Sequence, residues 1–317
     1  MQLFFKSNLM ITLLMLILAG TSMNNFLLIW VFMEMSTLVF IFIVSMDQYT
    51  LSSLSLKYFI TQSFISMVMV ITFLLFDGEA IMLKEMILSG LSLWKLGVPP
   101  FQNWFMNLIM DASWHVFFLI STVMKVIPFL ILSMFFSYMA FTIATLSVLA
   151  PSFMGASQIC MKKIMGVSSM FTSGWVIFSM ISSKSDWLII LLLYSLMLLV
   201  FCANVSAESM STLDNSFGLS SSDSLLMFFV LLSLSGIPPM SGFFMKIYIL
   251  MSVLSKGYLA ISAAIVVMSS FSVYMYIKNT FKYMTLNILS PSYMNFKLNF
   301  IGWIIIMNMA SAIILYM

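Results

Sequence analysis

The sequence predicts an all-α integral membrane protein of about eleven transmembrane helices, and three observations predict it. Of its 317 residues 62% are hydrophobic and only 7% charged, with a mean hydropathy of +1.13. A soluble domain carries about 25% charged residues, so this chain could not cover a water-facing surface. The apolar residues fall in runs close to the roughly 20 needed to cross hydrocarbon. Those runs are too long, and lack the alternation, for strands of a membrane barrel. Little chain is left for a soluble domain, and residues 1–317 are read as a single transmembrane domain.

The spans follow in order. The first, Leu9 to Gly20 and starting as early as Leu3, has the length of a signal-peptide core. It lacks a clear small-x-small cleavage site and ten apolar segments follow it, so it is read as helix 1. Helix 2 is expected over Asn25 to Ser45, helix 3 over Tyr58 to Phe76 and helix 4 over Met86 to Leu108. Helix 5 spans Trp114 to Met134, helix 6 Ser137 to Met154, helix 7 Ile164 to Ile181 and helix 8 Trp187 to Ala203. Helix 9 spans Leu225 to about Met245, helix 10 Tyr258 to Ile277 and helix 11 Phe300 to Tyr316. The polar stretches Asp47 to Ser55, Asp77 to Glu85, Ser182 to Asp186, Glu208 to Asp223 and Asn279 to Lys297 connect them. Charges are spread so evenly over these loops that the positive-inside rule assigns no orientation.

An internal echo organises the chain. Helix 4 carries Lys95-Leu-Gly-Val-Pro-Pro-Phe101, and helix 9 carries Gly236-Ile-Pro-Pro-Met-Ser-Gly-Phe-Phe-Met-Lys246. Each is an apolar helix interrupted by Gly-x-Pro-Pro with a lysine nearby. Proline removes a backbone donor and clashes with the preceding turn. Irregular backbone at membrane depth is tolerated only against protein or a water-filled cavity. One such break is as well explained by an ordinary proline kink. Two matched breaks, each with a lysine, point to an ion site shared by two repeats. The expected architecture is therefore an antiporter-like inverted repeat, with halves of roughly 23–135 and 137–280 and a C-terminal helix at 300–316.

Charges inside the spans narrow the site. An ionisable group at the bilayer centre costs about 2.5–3.5 kcal/mol on insertion scales. Glu34, in Trp30-Val-Phe-Met-Glu34-Met-Ser36, lies too deep in helix 2 to reach water by snorkelling. The plain alternative is a neutral glutamic acid that holds helices together by a hydrogen bond. Lys95 precedes the first break, and a buried lysine near a carboxylate changes protonation with small changes of separation or hydration. Lys125 lies in the middle of helix 5, three residues before Pro128. Lys246 follows the second break, at either the midplane or the interface. Lys162 and Lys163 read as interfacial anchors, and Asp111 and His115 as polar residues at a helix start. Lys6, Asp47, Lys57, Lys84, Glu85, Lys184 and Asp186 read as solvated.

Soluble-enzyme chemistry is missing from the sequence. It has neither Gly-x-Gly-x-x-Gly nor a P-loop. It has one histidine and two cysteines, Cys160 and Cys202, without a Cys-x-x-Cys pair, which excludes iron–sulfur and structural zinc sites. Seven Trp and 31 Phe suit lipid-facing helices better than a cofactor pocket. No metal and no cofactor site is expected in the chain, nor a nucleic-acid partner at a net charge of +3. All 13 basic residues are Lys, and 34 residues are Met. That bias suits an organellar genome and says nothing of mechanism.

The motifs resemble a known family. Trp30-x-x-x-Glu34-Met, Lys57-Tyr-Phe-Ile-Thr-Gln62 and Lys95-Leu-Gly-Val-Pro-Pro-Phe-Gln-Asn-Trp104 are similar to blocks of the chain 2 family of mitochondrial NADH–ubiquinone oxidoreductase. So are Gln158 to Lys163, Ser168-Ser169, Gly174-Trp175 and Leu234 to Lys246. These are antiporter-like membrane subunits of respiratory complex I, and the matches are collinear from about residue 26 to 246. The resemblance implies a proton path through Glu34, Lys95, Lys125 and Lys246 in the mitochondrial inner membrane. It implies other membrane-arm subunits and lipids as partners, with NADH, FMN, iron–sulfur clusters and ubiquinone bound by other chains. The chain departs from the family pattern at Gln102 and near Thr172, where the family has histidines. It departs also at Ser36 and at Lys162-Lys163. A free-standing cation/proton antiporter and a purely structural membrane subunit are the rival readings.

Overall fold

A computed structural model describes residues 2–46, 52–76, 81–158, 160–180, 186–206, 221–238 and 240–288. Among these residues every regular element is helical. Seven helices are long and apolar enough to cross a membrane. The expected eleventh span, at 300–316, lies outside the described residues.

The helices divide into two compact units, residues 1–146 and 147–317. The first unit contains α1 (Gln2–Ser22), α2 (Phe26–Ser45), α3 (Ser52–Leu75), α4 (Ile81–Leu96), α5 (Asn103–Asp111), α6 (Trp114–Ser121) and α7 (Val126–Met134). Helix α8 (Tyr138–Ser157) begins there and continues into the second unit. The second unit adds α9 (Met161–Ser179), α10 (Asp186–Ser206), α11 (Ser221–Ser235), α12 (Ser241–Ser255) and α13 (Leu259–Ile288).

Apolar side chains occupy both the inside and the outside of the bundle. In the first unit Ile29, Met33, Phe40, Ile65, Met69, Leu88 and Leu93 are buried. Phe26 stacks on Phe73 at 4.4 Å between ring centroids, and Phe40 meets Tyr58 edge-on at 4.8 Å. Outward, α1 exposes Ile11, Leu14, Met15 and Leu18, and α3 exposes Ile60, Phe64, Met67 and Leu74. Such faces suit lipid, where backbone groups must be satisfied inside the helix. The hydroxyls obey the same constraint. Ser36, Thr72, Ser92, Ser168 and Ser233 each donate to the carbonyl three residues earlier, at 2.6–2.9 Å. A serine so satisfied can sit in an apolar bundle without a partner on another helix.

Several expected boundaries move. The spans expected at 86–108 and 225–245 are each two helices, α4–α5 and α11–α12, joined by irregular backbone. The helix expected over Trp114 to Met134 is interrupted by a 3₁₀ turn at Val123–Lys125. The stretch from Asn279, expected as a connection, is helical to Ile288 in α13. Lys84 and Glu85, expected in a loop, belong to α4, where Lys84 Nζ lies 3.8 Å from the centroid of the Phe73 ring. Asp186, expected to be solvated, accepts a hydrogen bond of 2.6 Å from the Tyr248 hydroxyl. Lys57 is exposed as expected and pairs with Asp111 at 3.0 Å.

Candidate functional site at the helix interruptions

The two breaks share the main features of their local construction. At the first, Gly97 has φ +68° and donates its N–H to the Trp94 carbonyl at 3.0 Å, while Val98 N–H reaches Leu93 at 3.3 Å. This paired bonding closes a helix C-terminus around a left-handed residue, where glycine escapes the Cβ penalty. At the second, Gly236 has φ +77° and donates to Ser233 at 3.2 Å. The turns that follow also correspond. Phe101 N–H bonds Val98 at 2.9 Å, and Met240 N–H bonds Ile237 at 2.8 Å.

Each break leaves carbonyls at the end of a half-helix, where the dipole favours a cation. Lys95 lies in the last turn of α4, and its side chain is almost wholly buried, at 1% exposure. Its ammonium is 3.5 Å from the Glu34 carboxylate and 3.1 Å from the Met33 sulfur. Glu34 is 24% exposed on α2. A cavity of about 250 Å³ adjoins Lys95, lined by the polar Ser36, Thr37, Tyr58 and Gln62 and also by Val123, Met124 and Pro128. Lys246 starts from α12 and donates to the carbonyl of Ser235, the last residue of α11. Its ammonium is 5.5 Å from the centroid of the Phe171 ring, in a cavity of about 420 Å³.

Lys125 occupies a third interruption. It ends the 3₁₀ turn between α6 and α7, buried, with its ammonium 4.9 Å from the centroid of the Phe105 ring. Pro128 has no N–H to return to the preceding turn. Thr122 bonds back to the Phe118 carbonyl through both its hydroxyl, at 2.7 Å, and its N–H, at 3.1 Å. Lys95 and Lys125 therefore stand where a helix stops or changes pitch, and Lys246 reaches such a place from within α12. The structure brings Glu34 and Lys95 together, and the turn carrying Lys125 walls the same cavity.

Sequence reasoning missed the polar cavity walls. Tyr58 and Gln62 lie four residues apart on α3, so they share one face, and both are buried. Their spacing within Lys57-Tyr-Phe-Ile-Thr-Gln62 was the available signal. In the second unit Thr172, Trp175 and Tyr194 line the cavity of Lys246. Of the positions that depart from the family pattern, Thr172 thus lies beside a lysine, and Gln102 takes the N-cap position of α5. His115 is exposed at the start of α6, and both cysteines are free. Among the described residues no three His, Cys, Asp or Glu side chains converge as metal ligands would.

Comparison with known proteins gives this geometry a family. A model described as NADH:quinone oxidoreductase/Mrp antiporter, transmembrane, matches residues 77–272. NADH-ubiquinone oxidoreductase chain 2 of Anopheles gambiae is 29% identical over 298 residues, covering 89% of this chain and 87% of that one. A chain of respiratory complex I from Thermus thermophilus superposes with a TM-score of 0.73 at 20% identity, over 93% of this chain and 73% of that chain. A chain of an Mrp complex from a Dietzia species gives 0.73 at 16% identity over 89% of this chain, which spans 61% of that one. At these identities the two structures speak for the fold alone.

Proposed function

The chain belongs to the NADH:quinone oxidoreductase/Mrp antiporter family of transmembrane proteins, and from that premise we propose that it carries protons in the membrane arm of a respiratory NADH–ubiquinone oxidoreductase. The names of the curated relatives support this reading. So does the coding bias towards Met and away from Arg, which suits a protein of the mitochondrial inner membrane. The observation that carries the reading is the Lys95–Glu34 pair, 3.5 Å apart at the end of a half-helix and beside a polar cavity.

In the proposed mechanism the pair acts as a unit. With Glu34 close, the charged form of Lys95 is favoured; with Glu34 withdrawn, burial favours release of the proton. Water in the adjoining cavity receives that proton, and Lys125, at the end of the turn whose Val123 and Met124 line the cavity, takes it onward. Lys246 serves the second half in the same way, the two halves acting as inverted repeats. Oxidation of NADH and reduction of ubiquinone belong to partner subunits, which hold FMN and the iron–sulfur clusters. The residues of this chain do not fit such groups. Cys160 and Cys202 are free and lie at separate helices, and the single histidine is exposed.

Lys95→Ala is expected to abolish proton translocation coupled to NADH oxidation in a complex that still assembles. Full pumping by the assembled variant would sink the proposal. Glu34→Gln tests a purely structural role: such a role predicts lost assembly with coupling intact in whatever assembles, and the proton role predicts the reverse. Native purification addresses the free-standing antiporter. Migration of the chain with a large NADH-oxidising assembly is the expected result, and migration as a small monomer or dimer would favour the antiporter.

A further inference from the structure

The Lys95 ammonium has two close side-chain partners, and the nearer one carries no charge. It lies 3.1 Å from Met33 Sδ and 3.5 Å from the Glu34 carboxylate. The first distance is shorter than the roughly 3.5–4.0 Å of ordinary packing between heavy atoms, and the ammonium donates a hydrogen bond to the sulfur. Adjacent residues of a helix point in different directions, yet Met33 and Glu34 both reach this one ammonium. Ser36 and Thr37 brace the backbone that carries them, donating to the Met33 and Glu34 carbonyls at 2.7 and 2.8 Å. Movement at the pair is thereby left to the side chains.

The two partners differ in what else they meet. Met33 is 2% exposed and, with Lys95, lines the cavity of about 250 Å³. Glu34 is 24% exposed and is not one of that cavity's lining residues. The cavity therefore reaches the lysine and the sulfur without touching the carboxylate. A thioether suits that place. Its sulfur accepts a hydrogen bond weakly and has no proton to give, and its three rotatable bonds let it follow a moving partner. A carboxylate can take the lysine's proton; a thioether can only hold the ammonium.

We infer that Met33 is a positioning residue for Lys95, its sulfur being the neutral acceptor that holds the ammonium at the cavity when the lysine leaves Glu34. The inference rests on the proton-carrying role of Lys95 proposed above. The step from carboxylate to sulfur breaks no bond to hydrogen, and the lysine keeps its charge and all of its protons. Met33 gives that charge a partner that does not anchor it, as a second carboxylate would. It also spares the charge an unpaired position in an apolar wall, which would be costly.

The test compares two substitutions in the intact complex in sealed vesicles, reading the rate of proton translocation per assembled complex. Met33→Leu keeps the apolar bulk and removes the acceptor, and Met33→Gln keeps the length and restores a neutral acceptor. Translocation is expected to slow about fivefold in Met33→Leu, the loss of one ordinary hydrogen bond, and to be faster in Met33→Gln than in Met33→Leu. Packing alone predicts the reverse order, since leucine is the milder replacement for a buried methionine. Met33→Leu matching the unsubstituted complex, or Met33→Gln no faster than Met33→Leu, overturns the inference. Lys95→Ala is measured alongside. Full translocation there overturns the role of Lys95 itself, whereas its loss beside an unaffected Met33→Leu removes only the role of Met33. Should either Met33 variant fail to assemble, density maps of the unsubstituted complex during turnover decide. Lys95 Nζ within hydrogen-bond reach of Met33 Sδ supports the inference, and a sulfur turned away from the lysine in every state overturns it.

Discussion

In the first unit the lysine at the break precedes its glycine by two residues and faces a carboxylate; in the second it follows its glycine by ten and faces a backbone carbonyl. The two breaks share a left-handed glycine, its bond to the carbonyl three residues back and a turn after it. The shared element is the bent half-helix end, which supplies partial negative charge wherever a lysine comes from. What differs is the counter-charge. Lys95 belongs to an ion pair that stays neutral as a whole, whereas Lys246 leans on carbonyl dipoles and the face of Phe171. The first lysine is balanced by a side chain that can move, and the second by main chain that cannot.

Deleting each charge separates the two sites most strongly. Removing one member of a buried ion pair costs about 3–5 kcal/mol, because the other is left uncompensated. Glu34→Ala is therefore expected to shed intact complex on heating well before Lys246→Ala, which leaves no buried counter-charge behind. Native gels after graded heating measure this, and equal losses would mean that Glu34 does not neutralise Lys95. A smaller effect comes from the glycines. Gly97→Ala and Gly236→Ala share a left-handed strain of about 1–2 kcal/mol, but their new methyl groups meet different neighbours. At 236 the Cβ would come within 2.8 Å of Lys246 Nζ, and at 97 within 2.7 Å of Phe105 Cβ. Gly236→Ala is expected to lower protons moved per NADH, and Gly97→Ala chiefly the yield of assembled complex. The smallest effect is expected at Lys57→Ala. Its pair with Asp111 is exposed, with side chains 53% and 28% accessible, and such pairs contribute about 0–1 kcal/mol. Thermal midpoints in low and high salt should barely separate the variant from its parent.

The class of fold was legible because apolar length and the scarcity of charge are properties of composition. The breaks were legible because Gly-x-Pro-Pro cannot continue a helix. The interruption at Lys125 was not read, although Pro128 was the signal, since a proline within a long apolar run is also compatible with a gentle kink. Depth alone singled out Glu34 and Lys95, and the structure sets them 3.5 Å apart. Tyr58, Gln62 and Trp175 stood in the family motifs without a role, and Tyr194 was not read at all, because a polar aromatic or glutamine in an apolar run carries no mark of what it faces. Only the packing of α3 against α2 and α4, and of α9 against α10 and α12, turns them towards a cavity.

The corner after α4 is braced. The Trp94 carbonyl receives both the Gly97 N–H and the Trp104 indole N–H, the latter at 3.1 Å, and the Trp94 ring lies flat on Phe101 at 4.9 Å. Backbone bonds and stacked rings thus tie the two arms of the bend to each other, as a bracket holds a shelf. A bracket does not swing, so the bend is a poor hinge, and changes in the Glu34–Lys95 distance are left to the two side chains and to α2. The 3₁₀ turn at Lys125 is bonded across three residues rather than four and has a proline just beyond. A tied corner and a proline-broken turn thus line one cavity, at the lysine between them.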